Sequence, residues 1–271
     1  MSNAAPIIEL RRVVKSFGDG PLVIGDIDLD VVPGEFVTFI GPSGCGKSTL
    51  LRLAAGLRPA SSGEISIDGR PPAAMRREMA FIFQEPALLP WRTVLGNIEL
   101  PLQLQGVPRA ERRRVAGQMV ELVGLSDVRR YYPRQLSGGM KMRVSLARGL
   151  TKSPKIIILD EPFGALDAIT RDRLNEDLLA IRAEKEWTAL YVTHSVSEAV
   201  YLSSRVVVLC GCPGRVHVEI PVPFPYPRDA GLRDAPEFLA VVGHVSEALQ
   251  EATRAAALGG NAPCCHEAYH G

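Results

Sequence analysis

The chain has 271 residues, of which 46% are hydrophobic, so it can bury a core of its own without disulfides or metal ions. Its 31 basic and 30 acidic side chains leave a formal net charge of +1, and this balance gives no support to a nucleic-acid partner. No run approaches the roughly 18 consecutive apolar residues of a membrane span, and the first residues have neither the basic nor the apolar region of a secretory leader.

The first strands are predicted to form a small antiparallel layer. Strand-like runs at 7–14, 26–31 and 64–68 are short and are joined by turns that contain Gly and Pro. A second set of runs, rich in apolar and β-branched residues, is separated by segments that are long enough for helices. These runs lie at 36–40, 79–83, 155–159, 188–192 and 205–209. Their alternation with helices predicts a parallel α/β sheet.

A helical insertion is predicted over about 86–150, where the strand-like runs stop. From Arg109 onward, apolar residues recur at helical spacing opposite a cluster of arginines that we expect on a solvent-exposed face. The apolar set is Val115, Met119, Leu122 and Val123, and the arginines are Arg112, Arg113 and Arg114. After Cys212 the sequence becomes rich in Pro, then predicts one amphipathic helix over 236–257 and a disordered tail.

Residues 41–49, GPSGCGKST, match the pattern of a phosphate-binding loop. They lie between a predicted strand and a predicted helix, and this context argues against a glycine-rich turn that matches by chance. Glycines let backbone N–H groups turn inward toward phosphates, and the helix presents its positive end. Lys47 is therefore expected to contact the β- and γ-phosphates of ATP, and Ser48 to ligate Mg²⁺. The other nucleotide-binding candidates are Gly41, Pro42, Ser43, Gly44, Cys45, Gly46 and Thr49, with Cys45 as a small spacer rather than a catalytic thiol.

The run KIIILDE at 155–161 predicts a buried strand that ends in two carboxylates. Ligands of open α/β sheets bind at such carboxyl ends. Because side chains alternate along a strand, Asp160 and Glu161 are expected to point to opposite sides. We assign Asp160 to the metal ion and Glu161 to the attacking water, as general base. The alternative is that the two carboxylates cap the next helix.

The segment LSGGMKMR at 136–143 resembles the signature motif of the ATP-binding-cassette (ABC) family. The other motifs follow in the order of that family, including GALD at 164–167. The resemblance implies that Phe17 stacks on adenine, that Gln84 ligates Mg²⁺ and senses the γ-phosphate, and that His194 holds this phosphate. Each of these residues alone has an ordinary structural explanation, and only the ordered set favours the functional one.

The signature predicts a site shared between two subunits. Ser137, Gly138 and Gly139 begin a predicted helix, so a hydroxyl, backbone N–H groups and the helix dipole can bind a γ-phosphate. In the family this motif faces the nucleotide of a second cassette. The resemblance therefore implies a homodimer of cassettes that encloses two ATP molecules, with Asp167 connecting the two sites.

The resemblance also implies the α/β fold of a P-loop NTPase, with a parallel core sheet, an N-terminal antiparallel β layer and an inserted helical subdomain. We expect the ABC ATPase domain at 7–215, with the insertion at about 86–150, and a C-terminal extension at 216–271 whose end is disordered. The family commonly has Gln at the positions of Met140 and Met142. The second of these departures puts in doubt a polar contact at that position.

Within the family, the chain resembles an importer branch for nitrate, alkanesulfonates and taurine. Lys47 and Ser137 are 137 − 47 = 90 residues apart, which leaves no room for the long coiled coil of chromosome-maintenance relatives. A single cassette without membrane helices disfavours translation-factor relatives and fused exporters, whereas the stretches 83–102 and 213–228 resemble the importers. The implied partners are transmembrane permease subunits and an extracytoplasmic substrate-binding protein, with the chain peripheral at the cytoplasmic face of the inner (plasma) membrane.

Some alternatives stay open. An ABC-type ATPase of an export, lipid-transport or DNA-repair complex is the alternative function, although neither a basic groove nor a zinc insertion is evident. Five cysteines form no even framework, which is typical of free thiols in a reducing compartment. Cys264, Cys265, His266 and His270 could ligate a metal, but adjacent cysteines in a flexible tail do not favour a site. Trp91 lies in an apolar stretch with polar flanks, so it is either a docking anchor for a membrane subunit or core of the helical insertion.

Overall fold

The structure is a computed structural model that describes residues 5–185 and 187–258. They form two compact units: unit 1 contains 5–76 and 188–258, and unit 2 contains 77–187 apart from residue 186. The predicted disorder of the tail and its candidate metal ligands concern residues 259–271, which lie outside the described residues. No helix of the described part is long and apolar enough to cross a membrane.

The secondary structure of the described residues follows the predicted order. The strands are β1 (Ile8–Ser16), β2 (Leu22–Val31), β3 (Phe36–Ile40), β4 (Ser62–Ile67), β5 (Met79–Ile82), β6 (Ile156–Asp160), β7 (Thr188–Val192), β8 (Arg205–Cys210) and β9 (Arg215–Pro221). The helices are α1 (Lys47–Ala54), α2 (Pro72–Met75), α3 (Val94–Ile98), α4 (Leu100–Leu104), α5 (Arg109–Leu122), α6 (Gly138–Leu150), α7 (Ala168–Glu184), α8 (Val196–Leu202) and α9 (Pro236–Leu258). Short 3-10 helices lie at Ser126–Val128, Pro133–Gln135 and Ala230–Asp234.

Unit 1 contains the predicted antiparallel layer, with strands in the order β2-β1-β4. In β1, Ile8 pairs with Val31 of β2 on one side and with Ile67 of β4 on the other. Ile8, Leu10 and Val13 are buried. The antiparallel layer is therefore confirmed, and all three of its strands are longer than predicted.

Unit 1 also contains a parallel sheet in the order β7-β3-β8, with β9 antiparallel to β8. Every residue of β3 and β7 is buried, as expected for parallel strands that are covered on both faces. Strand β9 was not predicted from the sequence, in which residues 213–228 were interpreted only as a Pro-rich tail. The alternation of Val216, Val218 and Ile220 with charged residues was the available signal.

The chain after residue 215 contributes to the core of unit 1. Helix α9 packs against β8 and β9, and its residues Phe238, Val245 and Ala252 are buried at a spacing of seven residues. Arg228 is also buried, and its Nη1 donates to the carbonyl oxygens of Val200 at 3.0 Å and Tyr201 at 2.8 Å, near the end of α8. The division after residue 215 stays a sequence-based prediction.

Unit 2 combines the parallel pair β5-β6 with the predicted helical insertion, which contains α3 to α6. The buried side of α5 differs from the predicted one. It is formed by Ala116, Met119, Val120 and, just after the helix, Val123. The predicted set also has helical spacing and shares Met119 and Val123 with the buried side, but its Val115 and Leu122 are only half-buried. Arg112 is consequently at the border of the buried side and pairs with Glu99 at 3.5 Å instead of facing solvent freely.

We expect Phe238→Ala to lower the free energy of unfolding by about 3–5 kcal/mol, because the side chain is only 1% exposed and its removal leaves a cavity. Leu239 is the next residue of α9 and is 56% exposed, which makes Leu239→Ala a matched control with an expected loss of less than about 1 kcal/mol. Denaturant unfolding followed by circular dichroism measures both. Equal stability of the two variants would mean that α9 does not belong to the core of unit 1.

Candidate functional site

The phosphate-loop residues 41–46 bend from the end of β3 to the start of α1. Gly46 precedes the helix with a φ of 91°, in the left-handed region that glycine adopts without strain. A Cβ there would lie 2.5 Å from Cδ1 of Ile24 and 3.0 Å from the carbonyl oxygen of Val23. The start of β2 therefore rests against the loop so closely that this position requires glycine.

Lys47 is buried within this loop. Its Nζ donates to the carbonyl oxygens of Gly41 and Pro42, both at 2.9 Å. Ser48 and Thr49 follow in the first turn of α1 and are half-buried. The Lys47 ammonium thus lies on the inside of the bend, where the sequence analysis expects phosphate.

Cys45 is buried in the same bend. Burial raises the pKa of its thiol, and the nearby Lys47 ammonium opposes this effect without reversing it. The thiol is therefore mostly protonated near neutral pH, which is the state of a packing residue rather than of a nucleophile. Among the described residues, the cysteines at 45, 210 and 212 form no disulfide.

A second glycine contact was not anticipated from the sequence. A Cβ at Gly214 would lie 1.9 Å from the carbonyl oxygen of Cys45. Gly214 also donates to the carbonyl of Val23 at 2.9 Å and accepts from the N–H of Gly25 at 3.0 Å. The turn between β8 and β9 therefore packs directly on the phosphate loop. The Cys-Pro-Gly run at 212–214 was the available signal for such a turn.

Phe17 lies in the turn between β1 and β2, directly after the pairing of Ser16 with Leu22. Val23, the residue after Leu22, is the one whose carbonyl approaches Gly46. Because consecutive strand residues are about 3.3 Å apart, the half-buried Phe17 ring lies within a few residue lengths of the phosphate loop. This position suits an aromatic that contacts the base of a nucleotide.

His194 follows β7, the strand beside β3. Phe39 pairs with Val192, so the residues after these two strands emerge at the same edge of the sheet. His194 is exposed there. On either side of it, Thr193 donates to the buried Glu198 and accepts from the N–H of Ser195 at 3.0 Å. This hydrogen-bonded turn fixes the backbone that carries the imidazole.

In unit 2 the acidic pair lies at the carboxyl end of β6. Asp160 is the last strand residue and is buried, whereas Glu161 lies beyond the strand with a φ of 49°. The alternation of side chains along a strand, from which opposite directions were predicted for Asp160 and Glu161, therefore does not apply to Glu161. A Cβ on Gly164 would lie 3.6 Å from Oε2 of Glu161 and also 3.6 Å from Nε2 of Gln84. The two side chains thus converge on one point beside Gly164.

The next helix, α7, is capped by Asp167 and not by the acidic pair. The Asp167 carboxylate accepts from the N–H of Thr170 at 3.0 Å. This backbone hydrogen bond holds the pKa of the Asp167 carboxyl below its usual range, although the side chain is exposed. The structural alternative for Asp160 and Glu161, that they cap the following helix, is therefore excluded.

The signature residues begin helix α6, as predicted. Ser137 is the residue before the helix, and its hydroxyl oxygen accepts from the N–H of Met140 at 3.2 Å. A Cβ on Gly139 would lie 2.9 Å from Cγ2 of Thr170, so the signature packs against the start of α7. Met142 is buried, which makes it a packing residue of unit 2 in place of a polar contact.

Each unit therefore carries a defined part of the predicted site. Unit 1 brings the phosphate loop, Phe17 and His194 to one end of its sheets. Unit 2 brings Gln84 and Glu161 to one point and places the signature beside the turn of Asp167. The described residues contain no cluster of three or more His, Cys, Asp or Glu side chains that could by itself hold a metal ion.

Known proteins are similar to this chain in sequence. The sequence profile of the ABC transporter family matches residues 24–164, just over half of the chain. The chain is 47% identical over 234 residues to the aliphatic sulfonates import ATP-binding protein of Bacillus licheniformis, which covers 85% of this chain and 89% of that protein.

Two solved structures are also similar. The ATP-binding cassette MJ0796, solved as a dimer in a post-hydrolysis state bound to ADP and Pi, has a TM-score of 0.71 and 32% identity over 80% of this chain and 100% of that chain. The protein cbiO1 of Clostridium perfringens, part of the ABC transporter complex cbiONQ, has a TM-score of 0.76 and 25% identity over 90% of this chain and 99% of that chain.

The chain therefore belongs to the ABC transporter family, as an ATP-binding subunit that hydrolyses ATP. The predicted fold class is confirmed, including the parallel core, the antiparallel N-terminal layer and the helices.

Proposed function

We propose that the chain powers the import of a small anion such as an alkanesulfonate, nitrate or taurine. The observation that carries this proposal is the 47% identity to a relative named for the import of aliphatic sulfonates. The match covers 89% of that relative, so the likeness extends beyond the nucleotide-binding motifs. Recognition of the cargo itself would belong to partner chains, because this chain supplies the ATPase.

The proposed ATP site uses the loop N–H groups and Lys47 for the β- and γ-phosphates. The Lys47 ammonium has three N–H donors, of which two serve the carbonyl oxygens of Gly41 and Pro42, and it would direct the third to the charged phosphate oxygens. Phe17 would stack on adenine. His194, exposed at the same edge of the sheet as the loop, would donate to the γ-phosphate.

Three side chains fit a magnesium ion by their chemistry. The Ser48 hydroxyl, the Asp160 carboxylate and the Gln84 amide oxygen are hard oxygen donors, which Mg²⁺ prefers. Asp160 suits this role because it lies at the carboxyl end of β6, the end at which ligands of open α/β sheets bind. When bound, Mg²⁺ neutralises charge on the β- and γ-phosphates.

Hydrolysis is proposed to use Glu161 as general base. Its carboxylate would accept a proton from the water that attacks the γ-phosphate. The left-handed backbone at Glu161 and the approach of its Oε2 toward Gly164 direct it to the same point as Gln84. The two side chains would position that water together.

A second copy of the chain is proposed to complete each site. The Ser137 oxygen already accepts from Met140, so its own hydrogen is available for donation to a γ-phosphate of the partner. The exposed Ser137 and Gly138 at the start of α6 support this assignment. So does the dimeric state of the similar cassette MJ0796. Asp167 lies beside the signature and would connect the two sites.

Substitution of Lys47 and Glu161 tests these roles. We expect Lys47→Ala to abolish hydrolysis, because the positive charge at the phosphates is lost, and Glu161→Gln to bind ATP while turnover falls by at least about 100-fold. With ATP and Mg²⁺, the Glu161→Gln protein should dimerise, and without nucleotide it should not. Phosphate release and light scattering measure the two effects. Near-normal turnover by Glu161→Gln would remove Glu161 as the base, and a monomer at saturating ATP would contradict the shared site.

The segment around Trp91 is proposed as part of the surface that contacts a membrane subunit. Trp91 is 70% exposed, so the alternative that it belongs to the core of the helical insertion is excluded. Its loop is nevertheless well fixed. The buried Asn97 accepts from the N–H of Leu89 at 2.8 Å and donates to the carbonyl oxygens of Leu89, Arg92 and Thr93 at 3.0–3.2 Å. An exposed aromatic on a fixed backbone is typical of an interface anchor.

Unit 2 also has a groove of about 850 Å³ along β5 and α4. Its apolar lining includes Phe81, Pro101 and Leu104, and Leu104 is 79% exposed. Arg92 links the Trp91 loop to α4 through a 2.7 Å hydrogen bond from its Nη1 to Oε1 of Gln103. We propose that a short helix of a permease subunit docks here, with Trp91 and Leu104 as contacts. The sequence analysis did not identify Leu104.

We expect Trp91→Ala to leave the melting temperature and the ATPase rate of the isolated subunit nearly unchanged, because the side chain is exposed. Assembly with the membrane subunits should weaken and uptake should be lost. Leu239→Ala, which removes an exposed leucine from unit 1, is the matched control and should assemble normally. Normal assembly and uptake by the Trp91→Ala complex would contradict the docking surface.

The cargo is tested by purification of the native complex. We expect the chain to be recovered with transmembrane permease subunits and an extracytoplasmic substrate-binding protein, at the cytoplasmic face of the inner membrane. Calorimetric titration of that binding protein with an alkanesulfonate, taurine and nitrate should give binding of at least one of them. Recovery of a lipid carrier or an exporter instead would contradict the import of small anions, while leaving the ATPase assignment intact.

A further inference from the structure

Two cations lie over the Phe17 ring, which is the proposed contact of adenine. Nζ of Lys15 is 5.0 Å from the ring centroid, and Cζ of Arg58 is 5.4 Å from it. Both distances are within the range of about 6 Å over which a cation is attracted by an aromatic ring.

The two cations differ in what holds them. Lys15 is buried, and its Nζ donates to the carbonyl oxygen of Pro59 at 2.8 Å, so it has a structural role. Arg58 is exposed, and within the described ranges 5–185 and 187–258 its guanidinium makes no hydrogen bond or ion pair. The Phe17 ring is therefore its defined contact.

The chain also fixes where the Arg58 backbone lies. Helix α1 begins in the phosphate loop, and the N–H groups of Leu57 and Arg58 bond to the carbonyl of Arg52 near its other end, at 2.9 and 3.3 Å. Arg58 is 58 − 47 = 11 residues from Lys47. One short segment therefore carries the loop at its start and Arg58, over the Phe17 ring, at its end.

We propose that Arg58 is a positioning residue for adenine, acting through the Phe17 ring. The proposal rests on the role of Phe17 in the proposed function. A cation over an aromatic ring draws electron density toward itself, which favours stacking of an electron-rich purine on the ring. The guanidinium also restricts rotation of the half-buried ring. Arg58 therefore contributes to the binding of the adenine base and not to the binding of the phosphates.

Binding of two ligands separates these contributions. ATP offers base and phosphates, and inorganic tripolyphosphate offers phosphates alone. In calorimetric titrations of the full chain, we expect Arg58→Ala to weaken ATP binding about two- to fivefold, in line with an exposed cation–π contact, and to leave tripolyphosphate binding unchanged. Arg58→Lys should lie between wild type and Arg58→Ala. Arg70→Ala, which removes another exposed arginine of unit 1, should bind both ligands normally.

The Phe17→Ala variant completes a double-mutant cycle. If Arg58 acts through the ring, Arg58→Ala should have no further effect on ATP binding in the Phe17→Ala background. An equal loss for ATP and tripolyphosphate would mean that Arg58 contacts phosphate, and unchanged or tighter ATP binding would mean that it does not support the base. Either result overturns the proposal.

The same titrations distinguish failure of this inference from failure of the proposed function. Absence of ATP binding by the wild-type chain would contradict the nucleotide site as a whole. Normal ATP binding by Phe17→Ala would remove the adenine contact on which the inference rests. Weak binding by Phe17→Ala together with normal binding by Arg58→Ala would overturn the role of Arg58 alone.

Discussion

The Lys47 ammonium and the carbonyl oxygens of Gly41 and Pro42 hold the phosphate loop in its bend. A loop whose N–H groups must face inward for an anion leaves its carbonyl groups in need of other donors, and a buried cation can supply them. Lys47 therefore has two roles: it donates to the loop carbonyls, and it carries the positive charge that a bound phosphate would require. Its burial keeps this cation in the loop, so the site is largely formed by the chain itself.

The loop also constrains the segments around it. Neither Gly46 nor Gly214 has room for a side chain. A Cβ on Gly46 would lie 3.0 Å from the carbonyl oxygen of Val23, and a Cβ on Gly214 would lie 1.9 Å from that of Cys45. These contacts tie β2 and the connection between β8 and β9 to residues 45 and 46. As a result, the aromatic turn at Phe17 is positioned by the same backbone that would hold the phosphates. The proposed base and phosphate contacts thus share one support in unit 1.

Capping residues place the other functional groups. Ser137 and Asp167 each accept a hydrogen bond from the third residue of the helix they precede, and Ser195 does the same one residue after His194. A capping side chain fixes where its helix starts, and so it fixes the residues just before that start. In Ser137 the hydroxyl oxygen accepts the capping hydrogen bond, whereas the hydroxyl hydrogen would donate to a phosphate. In Asp167 one carboxylate oxygen accepts the capping hydrogen bond, so the other oxygen can serve the proposed connection between the two sites. Structural and functional explanations of these residues are therefore compatible.

The sequence predicted what depends on local pattern. The phosphate loop, the start of α6 at the signature and the buried parallel strands all follow from residues that are adjacent in the chain. The direction of Glu161 could not be derived in this way, because its left-handed backbone is not visible in the run KIIILDE. The contact of Gly214 with the loop depends on residues that are far apart in sequence. The buried side of α5 could not be derived from periodicity alone, because the predicted set and the observed set both have helical spacing.

The placement of the residues within unit 2 suggests how docking could reach the chemistry. Trp91 and Leu104, on the proposed docking surface, belong to the same compact unit as Gln84, Glu161 and the signature at Ser137. The loop of Trp91 is fixed to Asn97, and Arg148 on α6 donates to the carbonyls of Pro86 and Ala87 at 2.8–2.9 Å, two and three residues after Gln84. A displacement of the docked helix would therefore act on α6 and on the segment of Gln84 together. Because α6 carries the signature at its start, one hydrogen-bonded body would transmit force between the groove and the signature.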